Sequence, residues 1–343
     1  MGWFQNFKMI FSKPSGGLML MYHRVIENSI DPWQLSVSPE NFEIQLQILK
    51  KTGLVISLSN AIDQLNNKRN IKPFITITFD DGYADNFLNA KPLLEKYGLP
   101  ATFFICTEHI GSEKAFWWDE LAEIILNSTK LPETIEFHLP GFEFFYKLNE
   151  DNLLTEKILQ MHQNWNAYLP ATTQRTILFM KLWKAMSVLS YDKQQAILTK
   201  LKQSVNFQDN LDKGINNCMS EEQLISLSKV EGFQIGVHTK SHPLMSYLTE
   251  DLQRKEIDAS KQYLEGLINQ RLDFFAYPHG DFNDSTIEIL KNQQFIAAVT
   301  TQEKSARKDA DLYRIGRFQV NNWSKLEFNE KLKMWLKFLK IGN

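Results

Sequence analysis

Several absences narrow the reading of this 343-residue chain before any motif does. It has only two cysteines, Cys106 and Cys218, too few for a disulfide framework and without the spacing of a zinc finger. A reduced, intracellular compartment fits this best. Neither sign of charge prevails: 38 Lys and Arg face 40 Asp and Glu, a net charge of -2, so no basic field is available to hold a nucleic-acid backbone. No stretch reaches the length of a membrane span. The longest clean apolar run near the N-terminus, Leu18 to Tyr22, is too short for a signal-peptide core and is followed by no small-residue cleavage site. What the N-terminus does carry is Trp3, Phe4, Phe7, Met9, Ile10 and Phe11 beside Lys8 and Lys13. Such a segment either packs on the domain, the preferred reading, or lies on a membrane surface.

What is present is a rhythm. Strand-like runs recur at 17–22, 54–58, 74–79, 101–106, 233–237, 272–277, 295–301 and, less clearly, 313–320, mostly separated by helix-like segments. Helix ends are readable. Ser38-Pro39 starts one that Gly53 ends, and Ser220 with Gln223 makes a capping box in one closed by Gly232. Thr249 opens another running to about Ile268, and Asp284 opens one after the sixth strand of the barrel count. Alternating strand and helix implies a parallel sheet, and seven or eight repeats suggest an α/β barrel. The rhythm breaks at 107–218, which reads as a mainly helical, aromatic-rich insertion with one short strand pair, "TIEFHL" and "FEFFYKL". The barrel is then discontinuous, 1–106 and 219–343.

In a parallel α/β barrel the loops after the strands carry the chemistry. Those loops hold Tyr22-His23, Asp80-Asp81, the stretch "HTKSH" from His238 to His242, and "YPHG" from Tyr277 to Gly280. Four of the seven histidines therefore fall at strand ends. Pro243 keeps His242 from helical geometry, so His238 and His242 belong to a tight loop with both imidazoles turned toward one point. Joined by Asp81, they form two imidazoles and a carboxylate, a set that leaves positions open on zinc or a similar divalent ion. Adjacent Asp80 and Asp81 need not share a job: one can bind the metal while its neighbour takes a proton from water.

"TFDDG", "HTKSH" and "YPHG", in that order and with "MYHRV" at the front, resemble the motifs of the polysaccharide deacetylases, the NodB-homology group of carbohydrate esterases. The resemblance covers about 1–106 and 219–320. It implies a distorted (β/α)7-8 barrel with the large helical insertion added, and metal-dependent removal of N-acetyl, sometimes O-acetyl, groups from sugars. It makes Asp80 the general base and Asp81, His238 and His242 the metal ligands, with zinc first and iron, cobalt, nickel or manganese as other choices. The third motif departs from the family's Arg-x-Pro-Tyr-Gly: here it is Ala276-Tyr277-Pro278-His279-Gly280, without the arginine. The backbone N–H of His279 can still serve the oxyanion, while the partner that orients Asp80 is left to Arg314 or Arg317. No histidine follows His279, so the acid that a C-terminal motif normally supplies falls to His23, as in permuted members, with His279 next in line.

Two other function classes are compatible with the same residues. Two histidines and one carboxylate also form the iron site of oxygenases, and a catalytically silent glycan-binding protein would keep the same barrel. The expected substrate is an N-acetylated saccharide, a lipid- or nucleotide-linked precursor in envelope glycan synthesis. The expected place is the cytoplasm, with peripheral contact at the inner membrane surface. Trp117-Trp118-Asp119 either lines the sugar site or forms a packed hinge into the insertion, and the apolar face of the C-terminal helix from Ser324 is expected to pack on the core.

Overall fold

The structure, a computed structural model, describes residues 16–67, 71–205 and 216–339. The amphipathic N-terminal stretch, Trp3 to Lys13, lies outside the described residues. Seven strands form one parallel sheet: β1 Gly17–Tyr22, β2 Phe74–Phe79, β3 Ala101–Ile105, β4 Phe233–Val237, β5 Phe274–Ala276, β6 Ala297–Val299 and β7 Phe318–Gln319. Their spatial order is β6-β5-β4-β3-β2-β1-β7, so the sheet is laid down strand by strand and only β7 crosses to the far edge. Every residue of β1, β2 and β3 is buried, which is why "GLMLMY" and "FITITF" are nearly continuous apolar runs.

The sheet curls and its edges are joined through the last strand's approach. Ala298 N–H donates to Leu312 O (2.8 Å) and Ile315 N–H donates to Ala298 O (3.1 Å), after which Phe318 pairs with Leu20 of β1. The stretch read as 313–320 thus spans the seam of a distorted barrel. The run expected as a strand at 54–58 is different. Only Val55 bridges, to Ile75, and a helix starts at Leu58. The cause is a shortage of free edge. Ile75 already pairs with Leu18 on one side, and from Thr78 onward β3 takes the other.

Helix ends follow the local chemistry. Ser38 Oγ accepts from Asn41 N–H at the start of the helix Pro39–Thr52, and Gly53 closes it at φ 66°. Ser220 and Gln223 form the expected capping box, and the helix that Asp284 opens runs to Asn292, capped by Asn283. Between β3 and β4 lie the antiparallel pair Thr134–Leu139 with Phe142–Lys147 and the helices Glu156–Gln163, Gln174–Met186 and Tyr191–Ser204. Most of their buried apolar residues, Phe137, Leu178 and Leu198 among them, belong to the same apolar cluster as the barrel. In the C-terminal helix Lys325–Phe338, Leu332 and Trp335 are buried, Trp335 against Phe318 with ring centroids 5.0 Å apart, while Leu326 stands in solvent. Core packing therefore governs that helix.

Candidate active site

The register of β1 and β2 pairs Tyr22 with Phe79, so His23 and Asp80 leave the sheet side by side; Asp80 N–H donates to Tyr22 O (3.0 Å). Asp81 then turns at φ 75° and Gly82 at φ 93°, which swings the second carboxylate away from the first. Glycine suits that second turn because it lacks the Cβ that penalises positive φ. Asp81, Thr239, His242 and His279 all have positive φ, half of the non-glycine residues that do so among the described residues. Left-handed backbone at so many site residues is costly and persists only where surrounding structure imposes it.

Asp80 is clamped. Both its oxygens accept from Arg317, Oδ1 from Nη1 at 2.7 Å and Oδ2 from Nη2 at 2.6 Å, and Arg317 is fully buried. The guanidinium is fixed in turn by Thr300 O and Thr78 Oγ1, each at 3.1 Å. Burial pushes the Asp80 carboxyl up, yet the Arg317 charge, followed by that of His238, holds it below the usual carboxylate range. Arg317, reached from the seam before β7, thus supplies the arginine missing from "AYPHG". Arg314 does not; it pairs with Asp284 and Asp311 at the surface.

Asp81 meets the histidines. Its Oδ1 lies 3.4 Å from His238 Nε2 and 3.3 Å from His242 Nε2, and the three candidate ligand atoms sit within 4.8 Å of one another, all on buried residues. Asp81 Oδ1 is buried without a hydrogen-bond partner. The two Asp81 separations match the edge of a tetrahedron around a zinc ion with bonds near 2.0–2.2 Å, roughly 3.3–3.6 Å. The donor set fits a divalent cation. His238 Nδ1 hydrogen-bonds to Ala276 O (2.8 Å), which leaves Nε2 for the centre. Against the burial that raises it, contact with both histidines brings Asp81 well below the usual carboxylate range.

The other candidates fall close by. The His23 charge acts on Asp80, Asp81 and His279 through space, and its backbone carbonyl accepts from Asn86 Nδ2 (2.8 Å). The His279 ring lies 4.5 Å from that of His242, and burial, followed by the charge of His242, depresses its pKa well below the ordinary imidazole value. Trp117 and Trp118 are buried, at 2% and 5% exposure, packed as hinge residues would be, and Trp118 also borders the cleft beside the site.

Residues without a sequence signal complete the surroundings. Trp183, from the helix Gln174–Met186, approaches His279 at 6.0 Å and Trp33 at 4.4 Å. Tyr83 donates to Asp119 Oδ2 (2.7 Å), and burial pushes the Asp119 carboxyl up to about 7. Beside them a cleft of about 640 Å³ is lined by Arg24, Asp31, Trp33, Trp118 and Asp119. Only the aromatic richness of 107–218 could have hinted at Trp183; Trp33 and Tyr83 lie far from it in sequence.

Comparison with known proteins decides the family. The model described as "Polysaccharide deacetylase" matches residues 67–130 and 193–298, a span containing both aspartates and both histidines of the cluster. The chain belongs to the polysaccharide deacetylases. As a member of that family it is a carbohydrate deacetylase, a hydrolase. It is similar to the poly-beta-1,6-N-acetyl-D-glucosamine N-deacetylase of Staphylococcus epidermidis, 25% identical over 344 residues, covering 96% of this chain and 86% of that protein. Among solved structures, IcaB from Ammonifex degensii matches with a TM-score of 0.57 at 18% identity, covering 94% of this chain and 97% of that one. The Streptococcus pyogenes deacetylase PplD in complex with acetate matches at 0.53 and 21%, covering 93% and 98%. Both carry the same fold as this deacetylase.

Proposed function

We propose that this deacetylase is a metal-dependent hydrolase that removes N-acetyl groups from an amino-sugar glycan of envelope polysaccharide biosynthesis. The observation carrying the proposal is the contrast at residues 80 and 81: one carboxylate saturated by Arg317, its neighbour left with a bare oxygen between two imidazoles. The choice of glycan follows the substrate named for the Staphylococcus epidermidis relative.

Asp81, His238 and His242 would hold the ion, which when bound supplies an activated water and a Lewis acid for the carbonyl oxygen. Asp80, kept ionised and immobile by Arg317, takes the proton as the water oxygen bonds to the acetyl carbon. The backbone N–H of His279 serves the oxyanion. When the C–N bond breaks, the leaving amine needs a proton, and His23, which leaves β1 beside Asp80, gives it as the general acid. The His279 imidazole, depressed well below the ordinary imidazole value by burial and the His242 charge, is a poorer choice for that acid. The products are acetate and a free amino sugar.

The test is acetate release from N-acetylglucosamine oligomers of β-1,6 and β-1,4 linkage and from an O-acetylated glycan, with metal content measured in parallel. Release that follows metal loading and prefers the β-1,6 oligomers is expected. A metal-loaded chain that binds these glycans and releases no acetate would be a glycan-binding protein, and turnover requiring iron and oxygen would make it an oxygenase.

A further inference from the structure

His238 and His242 approach Asp81 at nearly equal distances, yet their outer nitrogens are treated differently. That of His238 is bonded to Ala276 O, whereas His242 Nδ1 is buried and has no hydrogen-bond partner among the described residues. A ligating histidine is ordinarily oriented by an oxygen at its second nitrogen. His242 is enclosed by rings instead: Trp118 at 4.7 Å and 52°, His279 at 4.5 Å and 74°, and Phe116 at 6.5 Å.

Of these, Trp118 is anchored on two sides. Its face stacks on Phe116 at 4.4 Å and 6°, and its Nε1 donates to Tyr83 OH (3.0 Å), which donates in turn to Asp119. Tyr83 is itself fully buried, with the Arg24 guanidinium 4.3 Å from its ring centre and its backbone bridged to Cys218. His242 also sits at φ 59°, a conformation that its packing must enforce.

We propose that Trp118 is the positioning residue of His242, with its indole held by Tyr83, so that the segment after β3 sets the affinity and geometry of the metal centre. This rests on the reading of Asp81, His238 and His242 as ligands. A ring wedged against the imidazole restricts its rotation as a hydrogen bond would, and the Tyr83 bond keeps the wedge from turning.

The probe is Co²⁺ alone, added to the full chain and followed by chelator competition and by the visible absorption bands of the bound ion. Trp118→Ala should bind Co²⁺ about 10–100-fold more weakly and shift those bands. Trp118→Phe keeps a ring against the imidazole and should recover most of the loss. Tyr83→Phe removes one hydroxyl and should weaken binding by up to about tenfold. Ile62→Ala, in the separate apolar cluster under the helix Leu58–Asn67, controls for lost stability and should bind as the parent does. Parent-like affinity and bands in both Trp118→Phe and Tyr83→Phe, together with either parent-like binding by Trp118→Ala or its failure to fold, would overturn the proposal. So would an equal loss in Ile62→Ala. If the parent chain took up no Co²⁺, the ligand reading itself would fail, a separate and recognisable result.

Discussion

The strand ends of the barrel and the segment between β3 and β4 meet at one place and bring different things to it. The strand ends supply charge: Asp80, Asp81, His238 and His242, all buried, with Arg317 arriving from the seam. The intervening segment supplies surfaces, with Trp118 packed on His242 and Trp183 beside His279. Charged groups need a rigid frame, because a displacement of one ångström spoils a ligand set or a proton transfer. Shape can be carried by helices packed on that frame, which is where relatives of one fold can differ most.

This division is broken most severely by removing a ligand. Asp81→Ala or His238→Ala should abolish metal uptake and reduce deacetylation by about 10³-fold or more, since several kcal/mol of charge stabilisation disappear. Asp80→Asn should lose about 10²–10⁴-fold in kcat while keeping its metal, because only the proton acceptor has gone. Normal turnover in Asp80→Asn would erase the distinction between the two aspartates. Arg317→Lys cannot reproduce the two-pronged bond to Asp80; a loss of about 10–100-fold in kcat with unchanged metal content is expected.

On the other side of the comparison, Trp183→Ala should raise KM for a glucosamine oligomer severalfold while leaving turnover of a small acetyl ester nearly intact. Equal losses on both substrates would place Trp183 in the chemistry. The smallest effect concerns Asp119. Its raised pKa of about 7 means that the folded chain keeps a proton which the unfolded chain releases near pH 4. The resulting stability is complete below about pH 4 and is lost as pH rises through about 7. Asp119→Asn, in chelator-treated protein, should flatten the fall in melting temperature between about pH 4 and 7. An unchanged slope would assign that proton to another group.

Much of this was legible in the residues alone, for local reasons. An apolar run closed by Asp-Asp-Gly states both a buried strand and the turn after it, and His-x-x-x-His before proline states a loop. Strand ends in a parallel barrel gather at one face, so the sites of Asp81, His238 and His242 could be brought together from sequence order. Spacing could not say which arginine would reach Asp80. Arg314 and Arg317 are equally remote from it in the chain, and only the seam, where Ile315 pairs with β6 and Phe318 with β1, turns Arg317 inward and leaves Arg314 on Asp284. Likewise "LVISL" has the composition of a strand, but its length was decided by how much edge β3 left free on β2. Trp33 and Trp183 lie 150 residues apart, and only long-range packing, which no local pattern encodes, brings their rings within 4.4 Å of each other beside His279.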